Sequence, residues 1–442
     1  RTKMNINVKK VFKVMSSIPF VLPGITMAIG FFITFGRNGV YTKILRIFGL
    51  DIRILYTFIA ILLGHIFYNF PLFIRIVGEA WENIDGFIIE AAKLDGARKS
   101  EIFYHIELPL LLPSILRAFL LTYIYTFTSF SVVLILGGIQ FSTIEVAIYM
   151  YSRITFNYKS AAALMVFQIL FISVLGYIFS IRRETFEKNF HKCLEKFPKW
   201  GYFLFIIYLF LIFVPLIYSG LSGFLDYYGK FSFTNFKIFW QENLEYLIGS
   251  NLNDIIFYTL IISLAASLIS IIVGTIAGYF SSRGNKFNYL LLLPAAMSSV
   301  TIAFSYVLLN IPVILKIILT HSLIVLPLTF GILESGWRMI PNNIIESARI
   351  DGAKGFKLVK LIIIPLMKKF LFVSFVYSFT ISVGETSGTL TLAEPPIMTF
   401  ATAVFRLMSS RNTEIAMAMN TFYFIFVVSL FITIEFLRKD EN

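Results

Sequence analysis

Residues 64–109 read GHIFYNFPLFIRIVGEAWENIDGFIIEAAKLDGARKSEIFYHIELP, and residues 320–365 read THSLIVLPLTFGILESGWRMIPNNIIESARIDGAKGFKLVKLIIIP. A shift of 256 residues overlays the two stretches without a gap. It pairs His65 with His321, Pro71 with Pro327 and Trp81 with Trp337. It also pairs Ile88-Ile89-Glu90 with Ile344-Ile345-Glu346, Asp95-Gly96-Ala97 with Asp351-Gly352-Ala353, and Pro109 with Pro365. A register kept over that distance is an internal repeat, and a repeat decides the architecture before any single element does.

The surrounding composition says what is repeated. Of 442 residues, 57% are hydrophobic and 14% charged, with 49 Phe, 22 Tyr and a mean hydropathy of +0.80. A soluble domain carries about 25% charged residues, so this chain lacks the surface to stay in water. One cysteine, Cys193, excludes an intrachain disulfide framework. With four His it also leaves no zinc-type cluster. The chain is therefore expected to be an all-α, polytopic integral membrane protein.

Runs of the ~20 apolar residues that a helix needs to cross the hydrocarbon core occur near 14–36, 54–76, 113–136 and 160–181 in the first part. In the second part they occur near 200–220, 255–280, 289–311, 316–334, 369–392 and 413–437. That is about ten spans, in two halves, 1–190 and 191–442. Breakers such as Pro19, Pro23, Gly24 and Pro327 fall inside them, which membrane helices tolerate when neighbours satisfy the freed backbone groups.

The net charge of +13 reads as a topology signal rather than a nucleic-acid one, because Lys and Arg collect in cytoplasmic loops. Arg1, Lys3, Lys9, Lys10 and Lys13 precede the first span, and RRETFEKNFHKCLEKFPK (182–199) separates the halves. Lys93, Arg98, Lys99, Arg349, Lys354, Lys357 and Lys360 share their parity, as do Arg438 and Lys439. Loops 137–159 and 221–254 fall on the other side; loop 37–53, with Arg37, Lys43, Arg46 and Arg53, runs against the trend. Both ends and both repeat motifs are then cytoplasmic, and the repeats are parallel rather than inverted.

Each motif reads Glu-x-Ala-x-x-Asp-Gly-Ala. Glu90-Ala91-Ala92 and Glu346-Ser347-Ala348 favour a short helix with small residues that let a partner approach. Asp95-Gly96 and Asp351-Gly352 can end it, since glycine takes a positive φ readily. The surface is short, duplicated and cytoplasmic.

These residues resemble the EAA loop of permease subunits of binding-protein-dependent ABC importers, and two of them in one chain resemble the fused permeases of the ferric iron and thiamine type. FTSFSVVLILGGIQFSTIEVAIYMYSRITFNYKSAAAL (127–164) is similar to the segment that follows the first loop in that subfamily. The resemblance implies a type I ABC importer permease fold in the bacterial cytoplasmic membrane, with EAA loops over 77–112 and 334–368. It implies that Glu90, Ala91, Ala92, Asp95, Gly96, Glu346, Ser347, Ala348, Asp351 and Gly352 couple to two cytoplasmic ATPase subunits. ATP and Mg would be held by those subunits and none by this chain. An extracytoplasmic substrate-binding protein would deliver the cargo, ferric iron or thiamine. Such permeases have about six spans per half; about four in the first half, with Arg rather than Met at position 1, is the expectation of two missing N-terminal spans.

An ionisable group inside a membrane is a functional candidate by default. Glu385 in SFTISVGETSGTLTL, about two thirds across the ninth span, is the best one. With Thr386 and Ser387, and with Thr128 and Ser129 of YTFTSFSVV, it is expected to line the substrate pathway and suit a cationic cargo. His65 and His321 read more simply as packed hydrogen-bonding residues than as metal ligands. No G-x-x-x-x-G-K-[ST] loop and no paired carboxylates occur, so no catalytic residue is assigned. The rival readings are an ATP-independent secondary transporter or channel, which needs charged relays in the spans, and a membrane-bound enzyme.

Overall fold

The computed structural model describes residues 23–180, 199–226, 228–284, 290–291, 293–295 and 297–439. The basic N-terminal residues, Cys193 and most of the inter-half linker lie outside the described residues, as does the first part of the 14–36 span. Among the described residues the fold is helical, with one isolated bridge, Leu225 to Phe231, in place of any strand.

In the first half the helices are α1 (Gly24–Phe35), α2 (Val40–Ile47), α3 (Phe58–Glu82), α4 (Gly86–Leu94), α5 (Leu108–Phe127), α6 (Ser131–Gly137), α7 (Ile144–Tyr149) and α8 (Tyr158–Ser180). The second half has α9 (Lys199–Gly220), α10 (Thr234–Gln241), α11 (Leu252–Ser282), α12 (Ser299–Val307) and α13 (Val313–Met339). These are followed by α14 (Asn342–Ile350), α15 (Ile364–Gly384), α16 (Ser387–Leu392), α17 (Phe400–Ser409) and α18 (Thr413–Lys439). Among the described residues seven helices are long and apolar enough to cross a membrane.

The 256-residue shift holds well beyond the stretches that revealed it. It carries α3 onto α13, α4 onto α14, α5 onto α15, α6 onto α16, α7 onto α17 and α8 onto α18. Even the π-helical turn ahead of α5, Phe103–Glu107, recurs as Val359–Ile363. The repeat is thus a structural unit with its irregularities copied.

Two expected spans are not continuous. The 113–136 run ends as α5 at Phe127 and restarts as α6 at Ser131; the 369–392 run ends as α15 at Gly384 and restarts as α16 at Ser387. The 289–311 run yields only α12 as an α-helix among its described residues. Hydropathy sees all three as single runs because a break lined by Gly, Ser and Thr costs little on an apolarity scale.

Local chemistry starts the helices where they begin. The Thr57 side chain accepts from the Ala60 N–H at 3.4 Å to cap α3, and Asn251 accepts from the Asp254 N–H at 2.9 Å to cap α11. Each meets one of the four N–H groups that a helix start leaves unpaired. Helix α11 presents a buried line of Ser263, Ala266, Ser267, Ser270, Gly274, Ala277 and Gly278. That line lets α13 approach closely: a Cβ on Gly278 would stand 3.0 Å from the Glu334 backbone nitrogen. Small residues do this work in membranes, where no hydrophobic force drives helices together.

The halves are interlocked rather than side by side. Helix α1 of the first half packs on α9 of the second. One core of buried side chains runs through both, from Ile25 and Ile29 through Val133 and Ile148 to Ile212, Val300, Val404 and Tyr423. At the α1–α9 crossing a Cβ on Gly30 would run into the Pro215 carbonyl and Ser219. Gly30→Ala should therefore destabilise the detergent-solubilised protein by roughly 1–3 kcal/mol, as overpacking does. Gly78→Ala, on α3 with no atom within 4 Å of the added methyl, should be neutral or stabilising by up to about 1 kcal/mol. Thermal unfolding of the two variants checks the sign of each.

Candidate coupling surface and pathway seam

Helix α4 and helix α14 are near copies. Asp85 caps α4 by accepting from the Phe87 N–H at 3.0 Å. Both helices end in the same reverse turn. The Gly96 N–H reaches the Lys93 carbonyl at 3.1 Å and the Ala97 N–H the Ala92 carbonyl at 3.0 Å; Gly352 to Arg349 and Ala353 to Ala348 repeat this at 3.1 and 2.9 Å. This paired bonding closes a helix through a left-handed residue. The φ values are +82° at Gly96 and +88° at Gly352, with open space around each, so conformation alone demands glycine there.

The faces divide cleanly. Ile89 and Ile345 are buried, Ala348 is buried and Ala92 half-buried, while Glu90, Ala91, Asp95, Gly96, Glu346, Ser347, Asp351 and Gly352 are exposed. Ile89 joins Ala80, Ile84, Ile102 and Leu111 in a small apolar cluster; Ile345 and Ala348 join Leu333, Trp337, Leu358 and Met367 in another. Each short helix is therefore fastened to its own two long helices, apart from the main core. The sequence reading missed one pair on this surface. Leu94 is 89% exposed and its repeat mate Ile350 86% exposed. Two large apolar side chains left exposed at matched positions beside the Asp-Gly turn mark a candidate contact surface. Their apolar identity at equivalent positions was the available signal. Beside α14 a groove is lined by Asn343, Ser347, Asp351 and Ile362.

Glu385 is placed differently from expectation. It is not part-way along a continuous helix but at the break between α15 and α16, in extended conformation (φ −74°, ψ 126°). Its carboxylate accepts from the Gly388 and Thr389 N–H groups at 3.0 Å each and from the Thr389 hydroxyl at 3.2 Å. His321 on α13 lies with Nε2 3.5 Å from it, and that ring bridges Ser382 and Thr389 at 2.7 Å each. His321 is thus a buried interhelical hydrogen-bonding residue. His65 is buried too. Among the described residues no group of three His, Cys, Asp or Glu could hold a metal ion.

Thr386 is buried, and Ser387 starts α16. Thr128 and Ser129 are half-buried at the matching break between α5 and α6, where the Thr128 hydroxyl donates to the Ile124 carbonyl at 2.9 Å. The shift sets Ser129 opposite Glu385, so only one of the two equivalent breaks carries a charge. Helix α1 touches both regions: it packs on α6, and Pro23 at its start packs on Gly384.

Loop 137–159 also departs from a simple outer loop. It folds inward as α7, with Glu145, Val146, Ile148 and Ser152 buried. Glu145, absent from the expected site, is 0% exposed. An acid between Ile144 and Val146 was the overlooked signal.

A helical scaffold repeated twice, with matched reverse-turn helices and, among the described residues, seven helices long and apolar enough to cross a membrane, fits a polytopic membrane protein. The chain belongs to the family described as binding-protein-dependent transport system inner membrane component, whose model matches residues 2–192 and again 270–439. It is 24% identical over 461 aligned positions to the ferric transport system permease protein FbpB of Actinobacillus pleuropneumoniae, covering 97% of this chain and 66% of that protein. It is 26% identical to the putative ferric transport system permease protein FbpB 1 of Haemophilus influenzae, covering 89% of this chain and 65% of that one. The thiamine transport system permease protein ThiP of Haemophilus influenzae matches 49% of this chain at 28% identity, over 41% of its own length. The chain thus spans just under two thirds of the ferric relatives it matches.

The exposed pair makes a prediction. Leu94→Asp or Ile350→Asp removes apolar contact without touching a buried atom. Each should leave the protein folded and membrane-inserted while, on the importer reading proposed below, its co-purification with a cognate ATPase subunit falls at least tenfold, a loss of ~1.4 kcal/mol.

Proposed function

We propose that this chain is the membrane-spanning permease of an ATP-driven importer, forming one substrate pathway between its two halves. The observation that carries this reading is the pair α4 and α14: two short helices, identical in boundaries under the repeat, tied by private apolar clusters to the long helices. Glu90 and Glu346 offer polar contacts, Leu94 and Ile350 offer apolar ones, and the Gly96 and Gly352 turns fix the presentation. Closure of two cytoplasmic ATPase subunits on ATP and Mg would push on these helices. Their clusters would carry the push into α3, α5, α13 and α15, and so into the breaks at Thr128–Ser129 and Glu385–Ser387. This chain itself has no catalytic residues in the scheme.

The orientation follows the basic loops: α4 and α14 face the cytoplasm of the bacterial cell, and both chain ends lie on that side. An extracytoplasmic binding protein would dock on the opposite face, where loop 221–254 exposes Tyr228, Phe231, Phe233 and Trp240. The cargo is ferric iron or thiamine, as the relatives' names suggest. Both are cationic, and Glu385 with Thr386, Ser387, Thr128 and Ser129 would line their route. A channel or secondary transporter would not need two exposed, repeated docking helices.

Gly96→Pro and Gly352→Pro test coupling. Proline locks φ near −65°, against +82° and +88° here. Reconstituted with ATPase and binding protein, each variant should insert but lose transport and lose the stimulation of ATP hydrolysis by loaded binding protein. Normal transport by either would refute the coupling role. Mass spectrometry of the ligand held by the cognate binding protein, purified without refolding, decides between the cargoes; a ligand of neither kind would overturn both.

A further inference from the structure

Glu145 has no partner carboxylate in the repeat, and its surroundings explain why it is present on one side only. The carboxylate accepts from Gln168 Nε2 of α8 at 3.0 Å and from the Val300 N–H at 3.4 Å. Ser298 is the capping residue of α12, its oxygen accepting from the Thr301 N–H at 3.1 Å. Gln168 closes the ring, accepting from the Thr301 hydroxyl at 3.1 Å. Glu145 and Gln168 belong to the first half; Ser298, Val300 and Thr301 belong to the second. A carboxyl group of one half therefore supplies an oxygen acceptor at the start of a nine-residue helix in the other.

A second contact repeats the arrangement a few residues on. Arg153, which follows α7, donates to the Ala393 carbonyl at 3.2 Å and lies 3.6 Å from Glu394. Ala393 ends α16, so a cation of the first half meets the negative end of a second-half helix. Helices α12 and α16 pack together, with Gly388 against the Ser299 carbonyl. The inward-folded loop of the first half thus grips both members of that pair.

The repeat has an apolar counterpart to this grip. Under the 256-residue shift Glu145 becomes Ala401 and Gln168 becomes Phe424. Helix α1, whose Ile25-Thr26-Met27-Ala28 parallels Val300-Thr301-Ile302-Ala303, packs on α17 there as α12 packs on α7 here. The Thr26 hydroxyl is buried and unpartnered, whereas Thr301 has Gln168. One seam carries a buried carboxyl group in a side-chain network; at the other, Ala401 and Phe424 stand in place of Glu145 and Gln168, and the Ser219 hydroxyl donates to the Thr26 carbonyl at 2.6 Å. A buried carboxylate is costly unless its partners are in place, so the polar seam can part only by giving Glu145 new partners, such as water entering the pathway.

We propose that Glu145 is a gate-positioning residue: seated on the start of α12, it holds the two halves shut at the face of loop 137–159, and it must leave that seat for the pathway to open there. The idea rests on the family and on the seam, and not on which cargo is carried. Arg153 supports the same closure at Ala393.

The test uses the full chain in membranes, without nucleotide, carrying Cys193→Ser and Thr386→Cys. The reporter is the rate at which a charged, membrane-impermeant thiosulfonate labels position 386, buried in this conformation, applied to each face separately. Glu145→Ala should raise labelling from the loop 137–159 face about tenfold, a shift of ~1.4 kcal/mol toward the open form. Glu145→Gln keeps an acceptor for the Val300 N–H and should restore a rate within about threefold of the parent, a difference of under ~0.7 kcal/mol. Thr301→Val, isosteric and expected to fold whatever happens to Glu145→Ala, should move the rate the same way by about two- to threefold. Parent-like labelling in Glu145→Ala, or in Thr301→Val should the former not insert, overturns the proposal. An increase confined to the opposite face overturns it too, and would leave the importer reading standing.

Discussion

In hydrocarbon every backbone N–H and C=O must find a partner within the protein, and the rest of this structure depends on how that constraint is met where helices break. The chain interrupts α5–α6 and α15–α16 at equivalent points of two apolar runs. At the second break Glu385 takes up the freed N–H groups of Gly388 and Thr389, and His321 steadies the corner through Ser382 and Thr389. At the polar seam Glu145 does the same for Val300 from across the molecule. Glu385, which the sequence reading assigned to substrate, and Glu145, which it passed over, are thus first of all solutions to a backbone problem. That is compatible with the pathway role proposed for Glu385. It explains why they can be there, and why a change in conformation at a break must also be a change in who satisfies these carboxylates.

The same repeat that builds the fold distributes roles unequally. At the two short helices the copies agree closely: α4 and α14 share boundaries, turn geometry, an apolar tether and an exposed apolar tip. In the interior they diverge, Ser129 against Glu385 and Ala401 against Glu145. Agreement outside suits two copies of one partner. Divergence inside suits a single pathway whose walls need not match.

The repeat, the helical class and the two short helices with their reverse turns were legible because they rest on features a sequence displays directly: periodic identity, apolar run length, and an Asp-Gly pair suited to ending a helix. Leu94 and Ile350 were missed because an exposed leucine in an apolar chain carries no contrast. The breaks were missed because Gly384 and Ser129 barely lower the hydropathy of their runs. Glu145 was missed for a different reason. Loop 137–159 was read as outer surface from its length and parity, whereas Val146 and Ile148 draw it inward and bury the acid between them. Which helix would receive that acid is a tertiary fact, set by α12 from the other half.

The central claim is that α4 and α14 carry motion from an ATPase pair into the spans. The most direct measurement is the distance between spin labels placed at positions 93 and 349, exposed on α4 and α14 beside the apolar pair, in the assembled complex, with and without ATP under conditions that block hydrolysis. The account predicts that ATP shortens this distance and that the shift vanishes in Gly352→Pro. An unchanged distance in a complex that still transports would contradict it.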